Sequence, residues 1–467
     1  MKKASVTLDI AGTGAGILHE PKKGLSVLTA IVFIAGELAG SGVLALPDAL
    51  ADMGWTGIAV IIVIGLTAAY SGVCLARCWL MLEERWPEYR SPTRNPFASI
   101  ARCWLMLEER WPEYRSPTRN PFASIGYRSN GQWMSYVCSA VMQVTFFGGA
   151  VVYLLLCSQL VQSLTHTFLR KVTFCDWILI IALLLIPLSW LGSPADFWPL
   201  AVGAIGTTIC GLVLLMIEVG IDAPKHISHA TYEAPTFSSF FLGFGTVVFA
   251  FGGAAAFPTF QNDMKDKTKF PIAVIVGFIL LIVLYLPVSV TGFTVYGSIV
   301  QNDILDSVTD GGLKTTISVC FAIHLFLAFL ILLNPVAQEF ESFANIPQTF
   351  TYKRCITRTI LMVAIAFTAL SIPQFGKILS FIGGSSVNLM TFVLPPIFYL
   401  RLVSQQDLNK EWPKREITLK VKIFLIVIVI IGIIAGVAST YSAIRELIDP
   451  DAFKPPCYIS LQSFYAS

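Results

Sequence analysis

The sequence predicts an all-α protein that crosses a membrane about 11 times, and three observations support this fold class. Of the 467 residues, 55% are hydrophobic and only 13% are charged, against about 25% charged residues in soluble proteins. Eleven stretches are apolar and long enough to span a bilayer, which takes about 20 residues. Two of these stretches are interrupted by glycine at matching places in the two halves of the chain.

The predicted spans follow one another with mostly short connections. They cover residues 25–47, 55–80, 134–162, 174–192, 197–220, 238–260, 271–296, 315–337, 356–374, 378–400 and 421–444. With the N-terminus inside, 25 of the 32 lysines and arginines fall in internal segments. Because cytoplasmic loops carry the excess of positive charge, this count predicts a cytoplasmic N-terminal tail (1–23) and an external C-terminal tail (445–467). Cys175, Cys320 and Cys457 then lie at or beyond the outer face, which allows one external disulfide.

The two interruptions are the most informative feature of the chain. The first span reads Gly40-Ser41-Gly42 near its middle, and the sixth reads Phe251-Gly252-Gly253. An unpaired backbone group in the bilayer costs several kcal/mol, so a broken helix needs protein or a wet cavity around it. Close packing of small residues is the alternative for either span alone. Their matched positions favour a transporter's substrate site.

Such a site suits a zwitterionic amino acid. The free N–H groups and the dipole at the start of a half-helix can bind a carboxylate in place of water, and glycine allows close approach. The Ser41 hydroxyl adds a donor, and the glycine pair of the sixth span frees carbonyls for an ammonium group. The predicted substrate-binding residues are Gly40, Ser41, Gly42, Phe251, Gly252 and Gly253.

Two ionisable residues are predicted at mid-depth in the membrane, Glu37 in the first span and His324 in the eighth. Ionisable groups at that depth are costly, and they normally face a cavity or a partner. The hypothesis is that one of the two takes up and releases a coupling proton. The alternatives are a neutral Glu37 that is hydrogen-bonded to backbone freed by the break, and a His324 that is satisfied within the core.

The predicted coupling ion is the proton rather than sodium. Hard cations need oxygen ligands, yet residues 325–333 in the eighth span include neither Ser nor Thr. Proton coupling or facilitated exchange is therefore favoured over sodium coupling. No cofactor, metal site or nucleic-acid partner is expected. An enzyme is not expected either, because the spans contain no HExxH motif, no Ser/His/Asp set and no phosphate loop.

One segment is duplicated without a single change: residues 76–100 recur as residues 101–125. Functional repeats usually diverge, so this identity favours an error in gene assembly or prediction over a recent duplication. The copies contain the end of the second span and a basic internal loop. The extra copy is therefore expected to bulge into the cytosol without changing the topology.

Five segments in this order resemble the amino acid/auxin permease family. They are GSGVLALP (40–47), FAFGGAAAFPTFQNDM (249–264), YGSIVQNDIL (296–305), NPVAQEFE (334–341) and GGSSVNLMTFVLPPIFYL (383–400). The resemblance covers residues 24–444 apart from the extra copy. It implies the 5+5 inverted-repeat fold of bacterial leucine transporters, with helices 1–5 in 24–220, helices 6–10 in 238–401 and one extra helix at 421–444.

Together these observations predict a secondary active transporter that moves amino acids by alternating access. Small or medium neutral amino acids fit best, because no unpaired Lys or Arg at mid-depth is available for a second carboxylate. The alternatives are a sodium-coupled or facilitative carrier, and a membrane amino acid sensor that does not transport. The expected partners are the amino acid and the lipid bilayer, and the oligomeric state is not indicated. The plasma membrane is the default location, with a lysosomal or other endomembrane as the alternative.

Overall fold

The computed structural model describes residues 25–86, 89, 120–190, 198–346, 350–406, 412–413, 415–449 and 455–459, without the side chains of 198–202. Within these residues the chain is almost entirely helical. The helices are α1 (Val27–Leu38), α2 (Ser41–Met53), α3 (Thr56–Arg85), α4 (Pro121–Asn130), α5 (Gln132–Thr165), α6 (Phe174–Ser189), α7 (Trp198–His226), α8 (Phe237–Ala250), α9 (Phe257–Asn262), α10 (Phe270–Tyr296), α11 (Gly312–Phe343), α12 (Tyr352–Ser371), α13 (Phe375–Ile382), α14 (Leu394–Ser404) and α15 (Leu419–Ile448).

The helices occupy the places of the predicted spans. In the described part of the chain, eight helices are long and apolar enough to cross a membrane, and the bent pair α1–α2 raises the number to nine. Two shorter apolar helices, α6 and α8, lie where the fourth and sixth spans are predicted. The multi-span helical class is therefore confirmed, while the count of about 11 crossings stays a prediction.

Both predicted interruptions are real breaks in the backbone. Helices α1 and α2 are separated by Ala39 and Gly40 and meet at a bend of 57°. Helices α8 and α9 are separated by residues 251–256, which form turns. The tenth span is also irregular, because π-helical turns at Gly383–Val387 and Leu389–Val393 join α13 to α14. Such turns inside α-helices are frequent at functional sites.

The first and sixth spans are joined at the end where α1 begins. Leu25 donates its N–H to the Asp263 carbonyl (2.8 Å), and the Lys265 N–H donates to the Leu25 carbonyl (2.9 Å). These bonds form an isolated parallel β-bridge between Leu25 and Met264, and the described residues contain no other β-pairing. The bridge fixes the start of one broken helix to the end of the other.

A disulfide joins Cys175, beside the start of α6, to Cys457 near the C-terminus, while Cys320 is free. The two Cα atoms are 5.6 Å apart. This pairing joins two of the three cysteines among which the sequence allowed a disulfide. Disulfides persist in oxidising compartments, so the bond agrees with an extracellular or lumenal location for this end of the molecule.

The duplicated segment is described at its two ends. Helix α3 continues into the first copy as far as Arg85, and residues 120–125 of the second copy precede and begin α4. The predicted bulge of the extra copy into the cytosol lies outside the described residues.

Candidate functional site

A small cavity lies between the two breaks. Its volume is about 50 Å³, which is room for a few water molecules. We call it the central cavity. Its walls come from α1, α2, the 251–256 segment, α5, α11 and the π-helical turns of the tenth span. Both interrupted helices therefore face one space, as the sequence predicted.

Most of the predicted site residues meet at this cavity. Those that line it are Glu37, Ser41, Gly42, Gly252 and Gly253. The other three, Gly40, Phe251 and His324, are not among its lining residues. Gly40, which is part of the first break, lies against Tyr153 and His324. An added Cβ would collide with the Tyr153 hydroxyl and lie 3.2 Å from His324 Nε2. Glycine is needed here because any side chain would displace these neighbours.

The first break presents the N-terminus of α2 to the cavity. Ser41 and Gly42 begin this helix of 13 residues. Its N-cap residue, Gly40, has no side chain to cap it, and the Tyr153 hydroxyl lies beside Ser41. The first N–H groups of a helix have no partner within the helix and carry the positive end of its dipole. The arrangement therefore offers uncapped donors and partial positive charge to an anionic group in the cavity.

Three carbonyls at the breaks, those of Leu38, Ala39 and Ala250, bond to side chains from other spans, and the Leu38 carbonyl also accepts the Gly40 N–H (2.8 Å). The Tyr285 hydroxyl of α10 lies 2.7 Å from the Leu38 carbonyl and 3.3 Å from the Ala250 carbonyl, so a single phenol bridges the ends of α1 and α8. The Thr208 hydroxyl of α7 lies 3.2 Å from the Ala39 carbonyl. Glu37 is thus not the residue that satisfies the freed backbone.

Three buried polar atoms around the central cavity have no hydrogen-bond partner among the described residues. They are Glu37 Oε2, Ser41 Oγ and Thr391 Oγ1. Leaving a buried polar group unpaired costs about 1–3 kcal/mol. Three such atoms from α1, α2 and the tenth span converge on one small space, which is the arrangement expected where a polar ligand supplies the missing bonds.

His324 is satisfied at one ring nitrogen and unpaired at the other. Its Nδ1 lies 2.9 Å from the Ala204 carbonyl and 2.7 Å from Thr208 Oγ1. Because a carbonyl oxygen can only accept, Nδ1 carries the hydrogen, and Nε2 is the acceptor of the neutral ring. Nε2 is buried without a partner in the described part of the chain. The ring thus links α7 and α11 to the first break and keeps one basic nitrogen beside Gly40.

The second break lines the central cavity and also shapes it through close packing contacts. Gly252 packs against Val387, and an added Cβ at Gly253 would lie 2.8 Å from the Leu38 side chain. The Phe251 ring is fully buried, with its centroid 6.2 Å from that of Phe278, and it packs away from the cavity. Its neighbour Phe249 lines the cavity instead.

Two larger cavities flank the central one. The inner vestibule, about 440 Å³, shares Glu37, Phe146 and Ala255 with the central cavity, and its described walls come from segments predicted to be internal or from the inner ends of spans. The outer vestibule, about 1420 Å³, shares none of its described lining with the central cavity. The structure is therefore open toward the end predicted to be cytoplasmic.

The outer vestibule contains a buried acid in the loop between α10 and α11. Asp303 is 1% exposed, and burial raises its pKa to about 8, with the nearby charge of Asp306 acting in the same direction. Asp306 in turn accepts a hydrogen bond from Gln159 of α5. These acids line the outer vestibule and not the central cavity.

Several site residues had no signal in the sequence. Tyr285, Thr208 and Thr391 are single polar residues within apolar spans, where most such residues are ordinary core contacts. The GGSSVNLM segment is marked in the sequence only by the family resemblance, yet its residues Val387 and Met390 and the adjacent Thr391 line the central cavity. Within the described residues, no three His, Cys, Asp or Glu side chains are grouped so that they could hold a metal ion.

Comparisons with known sequences concern the family of the chain. A sequence model of the family described as "Transmembrane amino acid transporter protein" matches residues 23–445. Amino acid transporter AVT1D of Arabidopsis thaliana is 23% identical over 421 residues, which cover 88% of this chain and 68% of that protein. Amino acid transporter ANT1 of the same plant is 24% identical over 444 residues, covering 90% of this chain and 92% of that protein.

Solved transporter structures share the fold. A mutant of the Eremococcus coleocola manganese transporter aligns with a TM-score of 0.53 at 12% identity, covering 94% of this chain and 90% of that one. The inward facing conformation of Mhp1 aligns with a TM-score of 0.53 at 10% identity, covering 97% and 96%. At such low identity these matches concern architecture alone, and they confirm the leucine-transporter-like fold that the resemblance implied.

Proposed function

We propose that this chain, which belongs to the transmembrane amino acid transporter family, moves small or medium neutral amino acids across its membrane by alternating access, coupled to protons. One observation carries the proposal: the uncapped N-terminus of α2 and the unpaired Ser41 hydroxyl face a cavity enclosed by both helix breaks. Helix N-terminal N–H groups can bind the carboxylate of an amino acid. In this proposal the other end of the molecule lies toward the second break, whose Gly252 and Gly253 also line the cavity.

The walls of the central cavity support a small neutral substrate. Ala254 and Ala255 leave room on one side, while Phe249 and Tyr153 limit it on the other. The described lining contains one acid, Glu37, and neither lysine nor arginine. A substrate with a second carboxylate would find no basic side chain there to bind it.

Proton coupling is supported by two unpaired groups beside the first break. Glu37 lines the space shared by the central cavity and the inner vestibule, and His324 keeps an unpaired Nε2 beside Gly40. A proton carrier must exchange its proton with each side in turn, and Glu37 occupies the junction where that exchange with the inner side takes place. We further propose a cytoplasmic N-terminus, two repeats (24–220 and 238–401), an extra helix at 421–444 and the plasma membrane as the location.

The test is an uptake panel. The purified full chain is reconstituted in liposomes, and the uptake of each radiolabelled amino acid is measured with a proton gradient, with a sodium gradient and with neither. We expect accumulation of small neutral amino acids that requires the proton gradient. Accumulation driven by sodium alone, or equilibration without accumulation, would overturn the coupling. Binding without any uptake would show a sensor, and a fluorescently tagged chain seen on endomembranes would correct the location.

A further inference from the structure

We infer that the inner vestibule holds a second amino acid site, in which the Glu339 carboxylate binds the ammonium group of the substrate on its way between the central cavity and the cytosol. This inference rests on the proposed function. The vestibule is about 440 Å³ and meets the central cavity at Glu37. Sites of about 300–1,000 Å³ enclose drug-sized ligands, so a single amino acid fits in it.

The surroundings of Glu339 fix its carboxylate in place. Asn120 Nδ2 donates to one oxygen at 3.1 Å, and Gln143 Nε2 donates to the other. Both donors are amides with no charge, so they orient the carboxylate without neutralising it. Each carboxylate oxygen accepts more than one hydrogen bond, which leaves capacity for a cationic ligand.

Glu341, a second acid on α11, is a useful comparison because its carboxylate is paired with arginines. Glu341 is 3% exposed and lies 2.6 Å from Arg358 Nε and 3.4 Å from Arg354 Nε. Its charge is compensated within the protein. Glu339 faces the vestibule instead, and the described residues that line that vestibule include Glu37 and Glu339 but neither lysine nor arginine. The vestibule therefore favours a cation.

The chemistry of the vestibule fits an ammonium group better than a metal ion. The two acids of its described lining fall short of the oxygen ligands that a divalent cation requires. Hydroxyls of Ser135, Ser139 and Thr259 line the same space and can bind the carboxylate end of a zwitterion.

Equilibrium binding of tritiated L-alanine to the purified full chain tests this inference. The wild type should bind in two components. Glu339→Gln should weaken the vestibule component at least about ten-fold, because an ammonium–carboxylate bond is lost, and should change the central component less than about two-fold. Glu339→Asp should restore part of the loss. N-acetylalanine, which lacks the ammonium group, should not compete for the vestibule component.

The control is Glu233→Gln, the same change at an exposed acid outside the vestibule, which should leave both components intact. A single component in the wild type, or two components that Glu339→Gln leaves unchanged, would overturn the second site. A wild type that neither binds nor transports alanine would instead contradict the proposed function. The two failures are therefore distinguishable.

Discussion

In the first span only Ala39 and Gly40 separate two half-helices, whereas residues 251–256 separate the halves of the sixth. The short break leads directly into α2, a helix of 13 residues whose uncapped N-terminus faces the central cavity. The long break leads into α9, which has six residues. The first break therefore supplies the stronger site for a charged group.

The longer break satisfies part of its own backbone. The Gly252 N–H donates to the Phe249 carbonyl (3.0 Å), and the Ala256 N–H donates to the Gly253 carbonyl (3.1 Å). Ala254 and Ala255 of this segment line the cavity. The two breaks therefore differ in what they offer: the first presents a helix N-terminus to the cavity, and the second shapes the space around it.

The largest effect is expected where the two breaks touch. A Cβ on Gly42 would lie 2.7 Å from Ala250 Cα, an atom of the α8 backbone that cannot turn aside. Gly42→Ala should therefore force α2 and α8 apart at a cost of about 1–3 kcal/mol. On that scale uptake in proteoliposomes should fall roughly ten- to hundred-fold.

The matched control for this change is Gly206→Ala in α7. An added Cβ there meets nothing within 4 Å, so uptake should stay near the wild-type level. Equal losses in both variants would mean that the contact between α2 and α8 is not what limits transport.

The second prediction concerns the acid that lies beside the first break and has no counterpart among the described residues of the second. Glu37→Gln keeps the shape of the side chain but removes the carboxyl that we propose exchanges a proton. Accumulation driven by a pH gradient should be lost, while exchange of substrate across the membrane without a gradient continues. The measurement is uptake at several external pH values.

His324→Gln gives the matched comparison for that experiment. If His324→Gln loses the pH response and Glu37→Gln keeps it, the histidine is the proton carrier. An unchanged response in both variants would remove the two residues from coupling.

Tyr285 links the two breaks, so its loss should affect both at once. Tyr285→Phe removes the hydroxyl that bridges the Leu38 and Ala250 carbonyls. The Leu38 carbonyl keeps the Gly40 N–H (2.8 Å), but the Ala250 carbonyl loses the Tyr285 hydroxyl. An unsatisfied buried carbonyl costs about 1–3 kcal/mol, and thermal unfolding in detergent should shift downward accordingly. Thr208→Val removes the hydroxyl beside the Ala39 carbonyl of the first break alone, so its shift should be smaller. A larger shift for Thr208→Val would show that the phenol does not join the breaks.

The sequence was sufficient for the helices and the breaks because both depend on local composition. Apolar length predicts a span, and Gly40, Gly42, Gly252 and Gly253 mark where a span is interrupted. The partners of the freed carbonyls were not predictable. Which face Tyr285 or Thr208 presents depends on the rotation of its helix, and a one-residue error in register turns a side chain by about 100°.

The unknown rotation of side chains about the helix also explains why the positions of the aromatic residues were not predicted. Phe249 and Phe251 are two positions apart in the sixth span, and the prediction from the sequence named Phe251 as the substrate-binding residue. The structure places Phe249 at the central cavity and packs Phe251 against Phe278 and Tyr285. Helix α8 ends at Ala250, between the two. The direction of each ring follows from where the helix stops, which only the packed structure decides.

The smallest effect on uptake is expected for Ser41→Ala, which tests the first break alone. Ser41→Ala removes one hydroxyl at the start of α2 and leaves the backbone N–H groups in place. If the substrate carboxylate lies there, the loss of one hydrogen bond, about 1 kcal/mol, should raise the KM for uptake roughly five-fold with little change in maximal rate. Thr391→Val is the companion change, because this hydroxyl is also unpaired at the cavity but belongs to the tenth span. A KM that responds to Thr391→Val and not to Ser41→Ala would move the carboxylate away from the first break and toward the π-helical turns.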